Sequence, residues 1–264
     1  MIPSSAIRIT EIIAGIGVLI SSLEVLARPR STDDSSWNSW RVLRLRRRWT
    51  STGRSGALFD VLLGYPRDLI GVAVRSVAAA VLVLTAPSGA WQVLLLWLVT
   101  VSLALRGLRT PYGGEGSDQV LLLVFGALAM AQTFDAEQVA LWFIVAEACL
   151  AYFSSGLAKV LHWEWRDGTG LLGVLRTRSW GNAWAARRLS ERPVLCRWLS
   201  LALISAETAF PLVLLAPPPL LPLLIGLALV FHLLVAVVMG LNCFVWAFAA
   251  TYPAVAYVVL GSVR

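Results

Sequence analysis

The sequence predicts an all-α, polytopic integral membrane bundle of about eight transmembrane helices. Three observations predict it: 58% of the 264 residues are hydrophobic, only 14% are charged, and the mean hydropathy is +0.75. Soluble domains carry roughly 25% charged residues. The apolar runs recur from one end to the other, so a single anchor on a soluble domain is excluded, as are collagen, a disordered tail and a disulfide scaffold.

A bilayer-spanning helix needs about 20 largely apolar residues, and about 17 suffice where polar flanks snorkel. Eight segments meet this, at approximately 6–26, 69–86, 90–106, 118–134, 138–158, 198–216, 220–241 and 243–261. The first carries Arg8, Glu11 and Glu24 and no small-residue cleavage site, so it reads as a retained span, not a signal peptide. Only the neighbourhood of Asn242 separates the last two, which leaves seven spans plus a bent helix as the alternative.

The links alternate in character. Three are basic, at about 28–67, 107–117 and 159–197, while 86–90 and 216–220 are Pro/Gly or proline turns and 133–138 holds only acidic charge. Arginine excess marks the cytoplasmic side, so the sequence predicts a single transmembrane domain in the plasma membrane with both termini outside. Topology thus accounts for the net charge of +7 without nucleic acid; an anionic-lipid role is the alternative. The long links also hold Trp37, Trp40, Trp49, Trp163, Trp165, Trp180 and Trp184. Tryptophan prefers the headgroup level, which predicts interfacial helices, one of them capped by Asn182. Cys149, Cys196 and Cys243 match no bridge or metal-ligand spacing and read as packing residues, with no metal site.

A charge at membrane depth is expensive, so such a residue pairs, faces the bundle interior or is functional. Arg8 and Glu11, spaced i,i+3, are predicted to pair; Arg75 is a further intramembrane charge. Glu147, Glu207 and His232 have no local partner and are joint candidates for a polar cavity. Pro211, four residues after Glu207, is predicted to free the Glu207 carbonyl and kink the helix.

Among 22 basic residues, Lys159 alone is lysine. Guanidinium stays protonated, whereas a partly desolvated amine can serve as base or nucleophile; the plain alternative is a snorkelling interfacial lysine. At helical spacing Tyr152, Ser155, Gly156 and Lys159 share a face, and the small residues around Gly156 let a neighbouring helix approach. Glu147 lies about 18 Å from Lys159 along the axis and cannot pair with it.

Two stretches resemble the membrane domain shared by vitamin K-dependent gamma-carboxylases and bacterial relatives, the horizontally transferred transmembrane (HTTM) family. One is RGLRTPYGGEGSDQ, Arg106–Gln119, a glycine-rich turn with Gly114 and Asp118. The other, more specific, is YFSSGLAKVLHWEWRDGTGLL, Tyr152–Leu172, in which Ser155, Gly156, Lys159, Trp165, Asp167 and Gly168 follow the family pattern. Glu207 and the segment FHLLVAVVMGLNCF around His232 echo its later helices. The resemblance implies that Lys159 is the base deprotonating a reduced quinone, a menaquinol or vitamin K-type molecule, which then reacts with oxygen. The carboxylases have two adjacent lysines where this sequence has Ala158 and Lys159, and they carry a large peptide-binding soluble domain beyond the spans. Protein gamma-carboxylation is therefore not implied. The leading expectation is an enzyme with Lys159 catalytic and Tyr152, Glu147, Glu207 and His232 lining its cavity. The alternative is a non-catalytic membrane partner that assists maturation or export of a peptide toxin, docking through the Trp/Arg links; a third is a small quinone-linked redox subunit.

Overall fold

The computed structural model describes residues 2–36, 39–46, 50, 52–109 and 116–261; Trp37, Trp49 and Gly114 lie outside them. All regular structure among the described residues is helical. Among the described residues eight stretches are long and apolar enough to cross a bilayer, and the chain is a multi-pass membrane protein. The first five are single helices: α1 (Pro3–Ala27), α4 (Arg67–Thr85), α5 (Gly89–Arg109), α6 (Gly116–Phe134) and α7 (Glu137–Leu161). The sixth joins α11 (Pro193–Ala209) to a 3₁₀ turn, Phe210–Leu215; the seventh is α12 (Leu221–Met239) behind a short 3₁₀ turn; the eighth joins α13 (Asn242–Ala249) to α14 (Tyr252–Gly261).

The breaks have local causes. The α4 helix stops where Ala86 turns left-handed at φ 47° ahead of Pro87. Gly240, at φ 74°, ends α12, so the last two apolar stretches are separate helices and not one bent helix. The sixth span begins at Pro193, five residues earlier than the sequence suggests, because proline is well suited to the first helical position. The eighth is interrupted at Thr251, whose hydroxyl folds back on the Phe248 carbonyl at 2.7 Å just before Pro253.

One expectation is corrected at Pro211. The Glu207 carbonyl is not free: the chain tightens into 3₁₀ geometry and the Phe210 N–H donates to it. Tightening the last turn is the usual way a helix end satisfies carbonyls that the α-helical pattern leaves over.

Packing divides the chain into two compact units, one from Ile7 to Ala140 and one made of the residues up to Ala6 with those from Leu141. In the first, arginine ties helices together. Arg8 pairs with Glu11 at 2.5 Å and donates to the Leu82 and Val83 carbonyls at 2.8 and 3.2 Å, which lie in the last turn of α4, while Glu11 accepts from Gln92 of α5 at 2.8 Å. Arg109 at the end of α5 meets Asp68 in the first turn of α4 at 3.0 Å, both side chains at most 5% exposed, and donates to the Thr32 carbonyl at 2.6 Å. Arg75, fully buried, donates from Nε to Ser22 Oγ at 3.0 Å.

The first long link contains α2 (Trp40–Leu43) and α3 (Gly53–Leu63). Trp40 departs from the expectation of a headgroup-level residue. It is buried with Leu43 and Leu63 and donates through its indole N–H to Asp60 at 2.9 Å, beside the Arg44–Asp60 ion pair. The second link holds α8 (Trp163–Asp167), α9 (Thr169–Leu175) and α10 (Ala183–Ser190). There Trp163 and Trp184 are exposed, at 61% and 65%. As the sequence suggests, Asn182 caps α10, accepting from Trp184 and Ala185 N–H at 3.1 and 3.0 Å.

Replacing Asp68 by Asn removes the carboxylate paired with the buried Arg109 guanidinium. Thermal denaturation in detergent is expected to register a loss of about 3 kcal/mol or more. Asp34→Asn, which breaks the exposed pair with Arg41, is expected to stay within about 0.5 kcal/mol of the parent.

Candidate functional site

The second unit gathers its polar side chains around the C-terminal half of α7. The sequence places Tyr152, Ser155, Gly156 and Lys159 on one face, and each meets something different. Gly156 faces α11 so closely that a Cβ there would lie 2.5 Å from Thr208 Oγ1 and 2.6 Å from Thr208 N. Only glycine permits that approach. It carries Glu207, the neighbour of Thr208, to the end of the Lys159 side chain.

Lys159 Nζ donates to Glu207 Oε2 at 2.6 Å, to Ser155 Oγ at 2.7 Å and to the Ser155 carbonyl at 3.3 Å. Three acceptors surround the nitrogen, as many as an ammonium has hydrogens. The side chains are 15% and 8% exposed, so the pair is largely withdrawn from solvent. The Trp165 ring, 5.2 Å from Nζ, adds a cation–π contact.

Two turns back along α7 from Lys159, Tyr152 Oη is 2.6 Å from His232 Nε2 and 3.1 Å from Tyr252 Oη, all three residues being buried. The Tyr152 ring stacks on Phe210 with centroids 3.9 Å apart, and the His232 ring stacks on Phe248 at 4.3 Å. Among the described residues, two buried polar atoms here have no hydrogen-bond partner: Thr208 Oγ1 and His232 Nδ1. The apolar surroundings follow from α12 itself, which buries only Leu221 and His232 and exposes most of its leucines and valines. A helix that turns its one imidazole inward and its aliphatic surface outward is arranged for lipid, where apolar residues need no core.

Of the candidates, Lys159, Glu207, Tyr152 and His232 are thus brought into one cluster. Glu147 is not: five residues before Tyr152 it points to another face, half-buried, with no hydrogen-bond partner among the described residues. Asp118 stands in the first turn of α6, in the other unit. Comparison of the chain with protein-family models, with curated proteins and with solved structures gives no match.

The remaining motif residues brace the link that follows Lys159. Gly168, at φ 93°, sits where a Cβ would be 2.7 Å from Arg197 N, and its carbonyl accepts from Cys196 Sγ at 3.2 Å. Cys196 is buried, as a packing residue is expected to be, and adds this weak thiol hydrogen bond. Ser200 donates to the Trp165 carbonyl at 2.5 Å, so Trp165 is held against α11 as well as under the lysine. Asp167 accepts from the Thr169 N–H and hydroxyl at 2.8 and 2.7 Å, and these bonds hold its carboxyl below the usual carboxylate range.

Tyr252, Thr208, Phe210 and Ser200 are contributors that sequence reasoning passes over. A search for charges in spans cannot see neutral hydroxyls, and Tyr252 offers only its place beside Pro253 in an otherwise apolar run as a signal. Gly168→Ala is expected to lower the melting temperature measurably, by the equivalent of about 1–3 kcal/mol, since it meets both a left-handed backbone and the α11 main chain. Gly173→Ala, with open space around it, is expected to be neutral or slightly stabilising.

Proposed function

We propose that this chain is a membrane enzyme of the HTTM and gamma-carboxylase type, in which Lys159 and Glu207 act as one proton-accepting unit on a lipophilic acid such as a reduced quinone. The observation that carries this reading is the 2.6 Å contact between the sole lysine and a carboxylate, both withdrawn into the spans. As an ion pair the two groups hold one exchangeable proton between them. When a substrate hydroxyl gives up its proton, the pair becomes ammonium plus carboxylic acid, whichever of Nζ and the carboxylate is reached first. The positive charge left beside the substrate oxygen stabilises the anion. Lysine suits this because it can pass a proton to Glu207 and take another, whereas guanidinium cannot.

The surroundings fit an apolar ring bearing oxygen atoms. Phe210 stacked on Tyr152 and Phe248 set edge-on to it offer aromatic surface, and Thr208 Oγ1 and His232 Nδ1, unpartnered among the described residues, are groups that a ligand oxygen would satisfy. A reduced quinone would supply an acidic hydroxyl and a ring that reacts with oxygen. Tyr152, fixed between His232 and Tyr252, would position the substrate at the inner end while Lys159 works at the outer one. The positive-inside pattern supports an orientation in the plasma membrane with the three basic links cytoplasmic and both termini outside, which puts Lys159 near the cytoplasmic face.

The test is menaquinol-dependent oxygen uptake by the purified protein in detergent. Lys159→Arg keeps the charge and Glu207→Gln keeps a hydrogen-bonding group, yet each is expected to lower the rate by on the order of 10²-fold. Tyr152→Phe is expected to raise KM more than it lowers kcat. Parent-like turnover in Lys159→Arg would sink the reading.

A further inference from the structure

The link between α7 and α11 contains a cleft whose positive charge is paired with no carboxylate among the described residues. Arg176 and Arg178, just after α9, face Arg187 of α10 across a cavity of about 430 Å³ with Leu175 and Ala186 in its lining. All three arginines are exposed, and none has a side-chain hydrogen bond or ion pair among the described residues. Elsewhere in the chain Arg8, Arg44 and Arg109 each meet a carboxylate. No carboxylate lines the cleft. Its two hydroxyls, Thr177 and Ser190, already donate to the Val174 and Arg187 carbonyls, so recognition falls to the guanidinium groups.

The walls are fixed before anything binds. Asn182 N–H donates to the Leu175 carbonyl at 2.9 Å, its side-chain oxygen caps α10, and its amide nitrogen donates to Val238 O at 3.1 Å near the end of α12. Three arginines carried on walls held this way suit an oxyanion that accepts from several N–H groups at once. Depth identifies the source of that anion. Trp184, on α10 itself, and Trp198, one turn into the sixth span, are 65% and 66% exposed, and exposed tryptophan settles at the headgroup layer. A cleft beside them lies where lipid phosphates are.

We propose that the Arg176–Arg178–Arg187 cleft is a binding site for the phosphate of an anionic phospholipid headgroup. Basic residues near a membrane surface contribute about fivefold each to anionic-lipid affinity, roughly a hundredfold for three.

The experiment is native mass spectrometry of the whole protein in detergent, titrated with phosphatidylglycerol or with phosphatidylcholine of the same acyl chains. The parent is expected to retain phosphatidylglycerol in preference. The variant Arg176→Gln, Arg178→Gln, Arg187→Gln is expected to lose that retention by about a hundredfold with an unchanged melting temperature. A charge-matched control, Arg28→Gln, Arg30→Gln, Arg41→Gln, is expected to keep it. If the triple variant does not fold, Arg178→Gln alone decides, with about fivefold weaker retention expected. Equal retention of phosphatidylcholine, parent-like retention by the variant, or displacement of the lipid by millimolar inorganic phosphate each overturns the proposal, the last by making the cleft a site for free phosphate.

Discussion

A polar group inside a hydrocarbon layer has no water to return to, so it must find its partner within the protein. The contacts made by the charged residues of the spans answer that constraint. The Arg8 guanidinium meets the carbonyls that the last turn of α4 leaves unbonded, and its own counter-charge, Glu11, lies one turn along the same helix. Arg109 does the same for Asp68 and for Thr32. In a soluble protein these contacts would compete with hydration and contribute little. At membrane depth the competitor is absent, and the pairs select which helices lie together.

Apolar packing plays a different part from the one it has in a soluble core. Leucine on α12 gains nothing by turning inward, since lipid is as apolar as the bundle. What the helix turns inward is His232. Where two helices do approach tightly, at Gly156 against Thr208, the reason is the absence of a side chain. The consequence is chemical: the backbone of α11 comes near enough for Glu207 to reach Lys159.

The spans were legible because a run of apolar residues about 20 long has few other meanings, whereas their ends were set by backbone effects at Pro193, Gly240 and Pro211 that hydropathy does not weigh. The i,i+3 pair of Arg8 with Glu11 was legible because its spacing is local. The Lys159–Glu207 pair, 48 positions apart, could be nominated residue by residue but not joined, since no local rule sets the rotation of α7 against α11. Trp40 shows the opposite failure. Its composition-based place at the headgroups gave way to a small core under the link, where Asp60 takes its indole proton. Tyr252 and Thr208 escaped because neutral hydroxyls in spans carry no energetic flag, although once buried they need partners as strictly as charges do.

The single lysine gains its meaning from the company it keeps. A snorkelling lysine extends its ammonium toward water, leaving its stem against the lipid. Lys159 instead bends back to Ser155, one turn behind it, and across to Glu207, beneath the Trp165 face. An arginine in the same place would offer five fixed donors to an arrangement with three acceptors, and its charge would be permanent. The choice of lysine at this one position, in a chain that anchors its links with arginine throughout, fits the proton-accepting pair proposed above better than it fits anchoring.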